Sequence, residues 1–289
     1  MPRPRLVGMK IGFKTSQTNV DWPTLAATWE LADERPILDS GWLFDHFVAL
    51  GEGGGGSHEA FTMLAALAAR TTRLQLGHLV LSNTYRHPAL TAKSAATVDH
   101  IAPGRFVLGL GAGWHEGEHA MYGLPLPPIG ERITMLESAV RVIRALWRSP
   151  AGVSLDAPPY ELRAAVCDPP PVTPGGPPIW LGTQGMRRGL GIVARLADGW
   201  NHTGEPETFE PKRDALLRHC EAARRDPSEI EISAQVFPRG GPATQREIAL
   251  GYGRAGATHL ILVTDAAAGP DGLERLIREV VQPLRDELG

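Results

Sequence analysis

Three clusters in this sequence hold residue types that can do chemistry. Asp45-His46 follows a short apolar run, Gly41-Trp42-Leu43-Phe44. A histidine titrates near neutral pH and an acid beside it can orient the ring, so the pair could pass a proton. The bland alternative is a satisfied surface pair. The second cluster runs from Arg105 to Glu118. Phe106, Val107, Leu108 and Leu110 form an apolar strand in which Gly109, Gly111 and Gly113 alternate, followed by Trp114, His115, Glu116 and Glu118. Glycine weakens a strand unless another backbone or a ligand must come close, so the three predict a cleared floor that Trp114 closes. The third is Thr183-Gln184-Gly185-Met186-Arg187-Arg188-Gly189, a glycine-bounded turn that enters a helix. Free N–H groups at such a start, with two arginines, suit an anion such as phosphate. The alternative is an ordinary helix start with solvent-facing arginines.

Two motif matches in the second cluster are set aside. Gly109 to Trp114 approaches the dinucleotide-binding fingerprint, but Trp114 takes the place of the third glycine and no acidic residue ends a following strand at the required distance. His115-Glu116-Gly117-Glu118-His119 matches the H-E-x-x-H zinc pattern, which works only on a continuous helix. Gly117 lies inside it, and Gly123, Pro125, Pro127 and Pro128 follow. A chance match and no bound metal are expected, with a zinc hydrolase kept as a remote alternative.

The elements that must position these clusters alternate along the chain. Strands are expected at Met9–Lys14, Gly41–Phe44, Leu74–Leu81, Phe106–Leu110, Ile179–Gly182, Asp198–His202, Glu229–Phe237 and His259–Val263. Helices are expected between them, among them one capped by Asp21, one capped by Ser57, one opened by Pro88, an amphipathic one over Glu131–Trp147 and a last one over Leu273–Leu288. Pro150 to Tyr160 reads as an excursion, and Pro169 to Pro178 as a stiff extended linker. Gly51 to Gly56 is flexible by composition and is equally a lid or a plain loop. Eight alternations without an internal repeat predict a single α/β domain over residues 1–289, a (β/α)8 barrel with an insertion between strands four and five.

The 289 residues suffice for such a barrel, and 29 Lys and Arg against 32 Asp and Glu give a net charge of −3, which favours neither nucleic acid nor an anionic membrane. Cys167 and Cys220 stand in no metal or redox spacing, as in a reducing compartment. Met1-Pro2-Arg3-Pro4-Arg5 leads straight into a strand and no apolar run could span a bilayer, so a cytoplasmic protein without a signal peptide is expected.

An ordered set of segments then resembles the bacterial luciferase-like family, in its branch that uses the deazaflavin coenzyme F420. The set comprises Ser40 to Phe47, Leu76 to Val80, Tyr85 to Ala89, Ala95 to Asp99, Gly109 to Trp114, Gly130-Glu131-Arg132 and Ala197 to Asn201. The resemblance implies a (β/α)8 barrel with the deazaflavin, or in the alternative FMN, lying at its mouth. It implies a non-prolyl cis peptide at Leu79-Val80 behind the ring, with Ser82, Gly111, Gly113 and Trp114 around it. It implies a phosphate cradle at Gly182, Thr183, Gln184, Gly185, Met186 and Arg187. His46 would be the acid/base and Asp45 its orienting partner. Trp114 stands where some relatives carry a glutamate proton donor, and that role is not transferred to Glu116 or Glu118, which are expected to point elsewhere. The implied activity is hydride transfer between F420 and a small organic substrate, in a homodimer. An FMN-dependent monooxygenase is the nearest alternative and a non-catalytic flavin-binding protein a further one. The substrate is not legible, because its walls come from variable loops.

Overall fold

The computed structural model describes residues 8–50, 54–149 and 151–288. Met1 to Arg5, Pro150 and the first three residues of the glycine loop lie outside them.

Strand β1 (Lys10–Lys14) leads to α1 (Trp22–Glu34), which Asp21 caps by accepting from the Thr24 N–H at 2.8 Å. β2 (Ser40–Leu43) leads to α2 (Ala60–Arg70). Its cap is Glu59, which accepts from the Thr62 N–H at 2.7 Å, whereas the expected cap, Ser57, donates to the His46 carbonyl at 2.6 Å. The third barrel strand comes in two pieces, β3 (Gln75–His78) and β4 (Leu81–Ser82), parted by a cis Leu79-Val80 peptide. Pro88 opens α3 (Pro88–Ile101), and β5 (Phe106–Gly111) follows. A short helix, α4 (Glu116–Met121), forms where glycine and proline predicted none. His115 at its N-cap accepts from the Glu118 N–H at 3.1 Å, enough to start one turn despite Gly117.

Next come the long amphipathic α5 (Ile129–Arg148) and the excursion, an antiparallel hairpin of β6 (Val153–Ala157) and β7 (Tyr160–Ala165). β8 (Ile179–Gly182), α6 (Arg188–Leu196), β9 (Gly199–His202), α7 (Phe209–Ala223), β10 (Glu231–Val236), α8 (Pro242–Arg254) and β11 (His259–Val263) complete the alternation. The last expected helix is divided: α9 (Gly269–Leu276), a wide π-turn over Ile277–Val281, and α10 (Gln282–Leu288).

One sheet of nine strands contains every strand except the hairpin, and with β3 and β4 counted as one stave it closes as an eight-stave parallel barrel. β1 meets β11 in register from Lys10↔His259 to Lys14↔Val263, and β3 meets β5. Side chains alternate along each stave, one set facing the helices and the next facing the axis. Outside, Trp29 lies edge-on to Phe13 at 5.2 Å and its indole N–H donates to Thr15 Oγ1 at 3.0 Å. Inside, the Trp42 and Trp180 rings stack at 4.8 Å and fill the barrel. Glycines make room for them: a Cβ on Gly199 would lie 2.4 Å from Trp180, and one on Gly77 2.8 Å from Trp42. Beneath, Glu231 accepts from His259 at 2.8 Å, His259 meets Ser40 at 2.7 Å, and the Trp42 N–H donates to Ser40 at 2.8 Å. The N-terminal end of the barrel is thereby plugged, and side chains can meet a ligand only at the C-terminal end.

Candidate active site

That end opens into a cleft of about 1020 Å³. Its floor is the cis Leu79-Val80 segment. The glycines expected to clear space for a ligand clear it first for this bulge. A Cβ on Gly109 would lie 1.8 Å from the His78 carbonyl oxygen, one on Gly111 2.6 Å from a Val80 methyl, and one on Gly182 2.9 Å from the other. Val80 therefore sits in a cup that only glycine permits, and its position sets the floor. Gly113 has φ +77°, and a Cβ there would lie 2.2 Å from Thr84 Oγ1 and 2.8 Å from Ser82 Oγ. Trp114 does not seal the floor. It stands at the rim, 64% exposed, with its ring edge-on to His46 at 5.6 Å.

His46 lines the cleft, but Asp45 does not orient it. Successive residues of an extended chain point to opposite sides. Asp45 turns away and accepts two hydrogen bonds from Arg86, at 2.6 and 3.0 Å, and one from the Ser82 N–H at 2.9 Å. Arg86 also holds Glu59, so Asp45 ties the end of β2 to the segment after the bulge and to the cap of α2. The partner of His46 is Glu118, whose side chain is fully buried and whose Oε2 lies 2.7 Å from His46 Nδ1. Glu118 also accepts from the Phe47 N–H at 2.5 Å, the Val48 N–H at 3.1 Å and the Tyr85 hydroxyl at 2.7 Å. Burial pushes the Glu118 carboxyl up, but the donors Tyr85, His46 and Val48 outweigh it and hold it below its ordinary value. An ionised carboxylate only accepts, so Nδ1 is the donor and the ring carries its proton there. Nε2 has no protein partner among the described residues and is the nitrogen free to exchange a proton with a ligand.

The two histidines of the H-E-x-x-H match are engaged separately. His115 caps α4, while His119 bonds to Thr84 Oγ1 through Nε2 and to the His115 carbonyl through Nδ1, both at 2.7 Å. Among the described residues no group of three His, Cys, Asp or Glu side chains is placed to hold a metal ion.

The turn before α6 lies across the mouth. No side chain caps α6. The Gly185 N–H reaches Thr183 Oγ1 at 3.3 Å, and Gly189 packs against Thr183 so closely that a Cβ would lie 2.1 Å from Oγ1. Arg188 is committed to α5 through the Gly130 carbonyl at 3.0 Å and Thr134 Oγ1 at 2.8 Å. Arg187 makes no side-chain hydrogen bond among the described residues and lines the cleft. Gln184 accepts from Lys212 at 2.6 Å and keeps a buried Nε2 without a partner among the described residues.

Residues 13–244 match the family model described as luciferase-like monooxygenase. The chain belongs to this family. Among luciferase-like relatives, it is 33% identical over 232 residues to an F420-dependent glucose-6-phosphate dehydrogenase of Kineococcus radiotolerans, covering 79% of this chain and 67% of that one. It is 35% identical over 184 residues to a phthiodiolone/phenolphthiodiolone dimycocerosates ketoreductase of a Mycobacterium species, covering 62% of this chain but only 47% of that protein. The fold is that of an F420-dependent secondary alcohol dehydrogenase solved with an F420-acetone adduct, at a TM-score of 0.81, 20% identity and coverage of 96% and 99% of the two chains. It is also that of the F420-dependent tetrahydromethanopterin reductase of Methanopyrus kandleri, at a TM-score of 0.78, 18% identity and coverage of 96% and 99%.

On this luciferase-like barrel, Leu79, Val80, Ser82, Gly111, Gly113, Trp114 and Gly182 to Arg187 all reach one cleft with His46 and Asp45. Sequence reasoning missed Glu118, Tyr85 and Arg86 as members. A signal for Glu118 was present: an acid three residues after a capping His115, in the turn leaving the glycine-rich strand.

Proposed function

We propose that this chain transfers a hydride between coenzyme F420 and a small organic alcohol–carbonyl pair, with His46 as the acid/base. One observation carries this reading: an imidazole whose Nδ1 is held by the buried Glu118 lines a cleft built over the Leu79-Val80 bulge.

The residues present fit a ring-and-phosphate coenzyme. The floor is apolar and kept level by glycines, a buried Gln184 amide lacks an acceptor, and Arg187 is uncommitted beside an uncapped helix start. Leu79, Val80, Ser82, Gly111, Gly113 and Trp114 would hold the ring, and Gly182 to Arg187 the phosphate. When bound, F420 supplies a two-electron hydride acceptor or donor at the deazaflavin C5. The chain's own residues handle the proton. As an alcohol carbon gives up its hydride, His46 Nε2 takes the hydroxyl proton; in the reverse direction the imidazolium returns it to the carbonyl oxygen. Glu118 stabilises the imidazolium and keeps Nδ1 protonated throughout. The assembly is taken to be a homodimer, a reading supported by the family resemblance alone and tested by sedimentation, and a cytoplasmic location is supported by the two unpaired cysteines, as in a reducing compartment.

Fluorescence titration with F420 and with FMN tests the proposal. Tighter binding of F420, followed by reduction or oxidation of it on a panel of secondary alcohols and ketones, is the expected result. Tighter binding of FMN would replace the proposal with the monooxygenase alternative.

A further inference from the structure

The opposite wall of the cleft carries a polar chain that the proposed chemistry does not use. Gly12 faces the barrel axis, where a Cβ would lie 2.0 Å from Ser40 Oγ, so Lys14, two residues on, points the same way one layer nearer the mouth. Lys14 Nζ donates to Gln235 Oε1 at 2.8 Å. Gln235 Nε2 donates to Asn201 Oδ1 at 2.7 Å, Asn201 Nδ2 to Ser233 Oγ at 2.9 Å, and Ser233 Oγ to the Trp200 carbonyl at 3.1 Å. Each acceptor in the series is used and the donors all run one way, which fixes both amide orientations.

The chain begins at an ammonium with three protons, of which one is placed. No carboxylate pairs with Lys14 among the described residues: Asp45 is taken by Arg86, and Glu118 by His46. The amine lies 5.4 Å over the Phe44 ring, a weaker partner than an anion. Burial lowers its pKa to about 8, so it is still mainly charged at neutral pH. A partly desolvated cation with two unused donors is complemented by an oxygen bearing negative charge; a neutral carbonyl would meet the hydrogen bonds but not the charge.

We propose that Lys14 anchors an oxyanion, carboxylate or phosphate, carried by the substrate, and so selects anionic over neutral substrates. This rests on the hydride-transfer reading for the word substrate, but the binding site itself does not depend on the coenzyme. Ligand-observed NMR on the full chain, with and without F420, would compare acetate, inorganic phosphate and the neutral isostere acetamide. The expected result is acetate or phosphate binding about tenfold or more tighter than acetamide. Lys14→Met should abolish that preference and Lys14→Arg should keep part of it, with F420 affinity unchanged in both. Which of acetate and phosphate binds better names the group. Equal binding of acetate and acetamide, an oxyanion preference that survives in Lys14→Met with F420 seated in the Gly182–Arg187 cradle, or a loss that falls on F420 affinity would each overturn the proposal. Failure of F420 to bind would sink the hydride-transfer reading, while the same comparison in an Arg187→Ala background, with the cradle's cation removed, would still decide for or against Lys14 on the unloaded protein.

Discussion

At the scale of single residues, Glu118 and Asp45 have exchanged the parts that adjacency suggested, and substitutions should separate them. Glu118→Gln keeps the shape and, with its amide oxygen still accepting from the Phe47 and Val48 N–H groups, turns amide hydrogens toward His46 Nδ1 and the Tyr85 hydroxyl, which reverses the ring's tautomer and removes the charge that balances an imidazolium. It should lower kcat about 10²-fold with F420 affinity nearly unchanged, measured by steady-state turnover and titration. His46→Ala should lose about 10²–10⁴-fold in kcat. Full rate at saturating coenzyme in that variant would remove His46 from the chemistry. Asp45→Ala acts elsewhere: it removes both Asp45 hydrogen bonds of the Arg86 guanidinium and leaves it Glu59 alone, and should cost about 1.5–3 kcal/mol in a denaturant melt. His46 was legible because it ends an apolar stretch at a barrel mouth. Its partner was not, because Glu118 is 72 residues away and reaches it only through the turn that starts α4. The local sign of that turn, a capping His115 three residues before the acid, is outweighed in the sequence by Gly117 and the prolines beyond it.

At the scale of elements, the feature that sets the site is the split stave β3–β4 and the glycines of β5 and β8 that receive it. Gly111→Ala and Gly182→Ala each press a methyl on Val80, a side chain that can shift, so both should fold and lose F420 affinity. Gly109→Ala meets the His78 backbone oxygen, which cannot yield without moving the strand, and should lower the melting temperature most of the three. Equal losses of affinity and stability across the set would count against the cup. The staves themselves were readable, since an apolar run bounded by Gly or Pro has few other uses in an alternating chain. His259–Val263 and Ile179–Gly182 fall where expected. Element ends were harder. Ser57 and Glu59 are both competent caps, and only the His46 carbonyl, brought near by the fold, draws Ser57 away. The π-turn at Ile277–Val281 leaves no mark in the 3.6-residue pattern, because an apolar face continues through it.

At the scale of the whole molecule, two histidines couple stability to pH. Burial lowers His78 and His202 from 6.5 to about 4, and His202 has no hydrogen-bond partner on either ring nitrogen among the described residues. The unfolded chain takes up protons at these rings below about pH 6.5 while the folded one resists until about pH 4. Stability from this source is complete above that window and falls as pH drops through it, by roughly 3 kcal/mol per ring at most. Melting temperatures recorded from pH 7.5 to 4.5 should fall, and His202→Leu should flatten the slope by about half; an unchanged slope would exclude the ring. The wall of charge around the cleft has a different consequence, one of timing. Arg187 and Arg188 line the mouth, and the one acidic side chain among its described lining residues, Asp45, is already neutralised, although the chain as a whole carries −3. A phosphate-bearing coenzyme approaching from far away meets a weakly repelling body, and within a Debye length of about 8 Å at physiological salt it meets an attracting funnel. Stopped-flow association of F420 should therefore slow as salt is added, while dissociation from the glycine-floored cleft changes little, so that ionic strength governs how often the enzyme is loaded rather than how long it stays so.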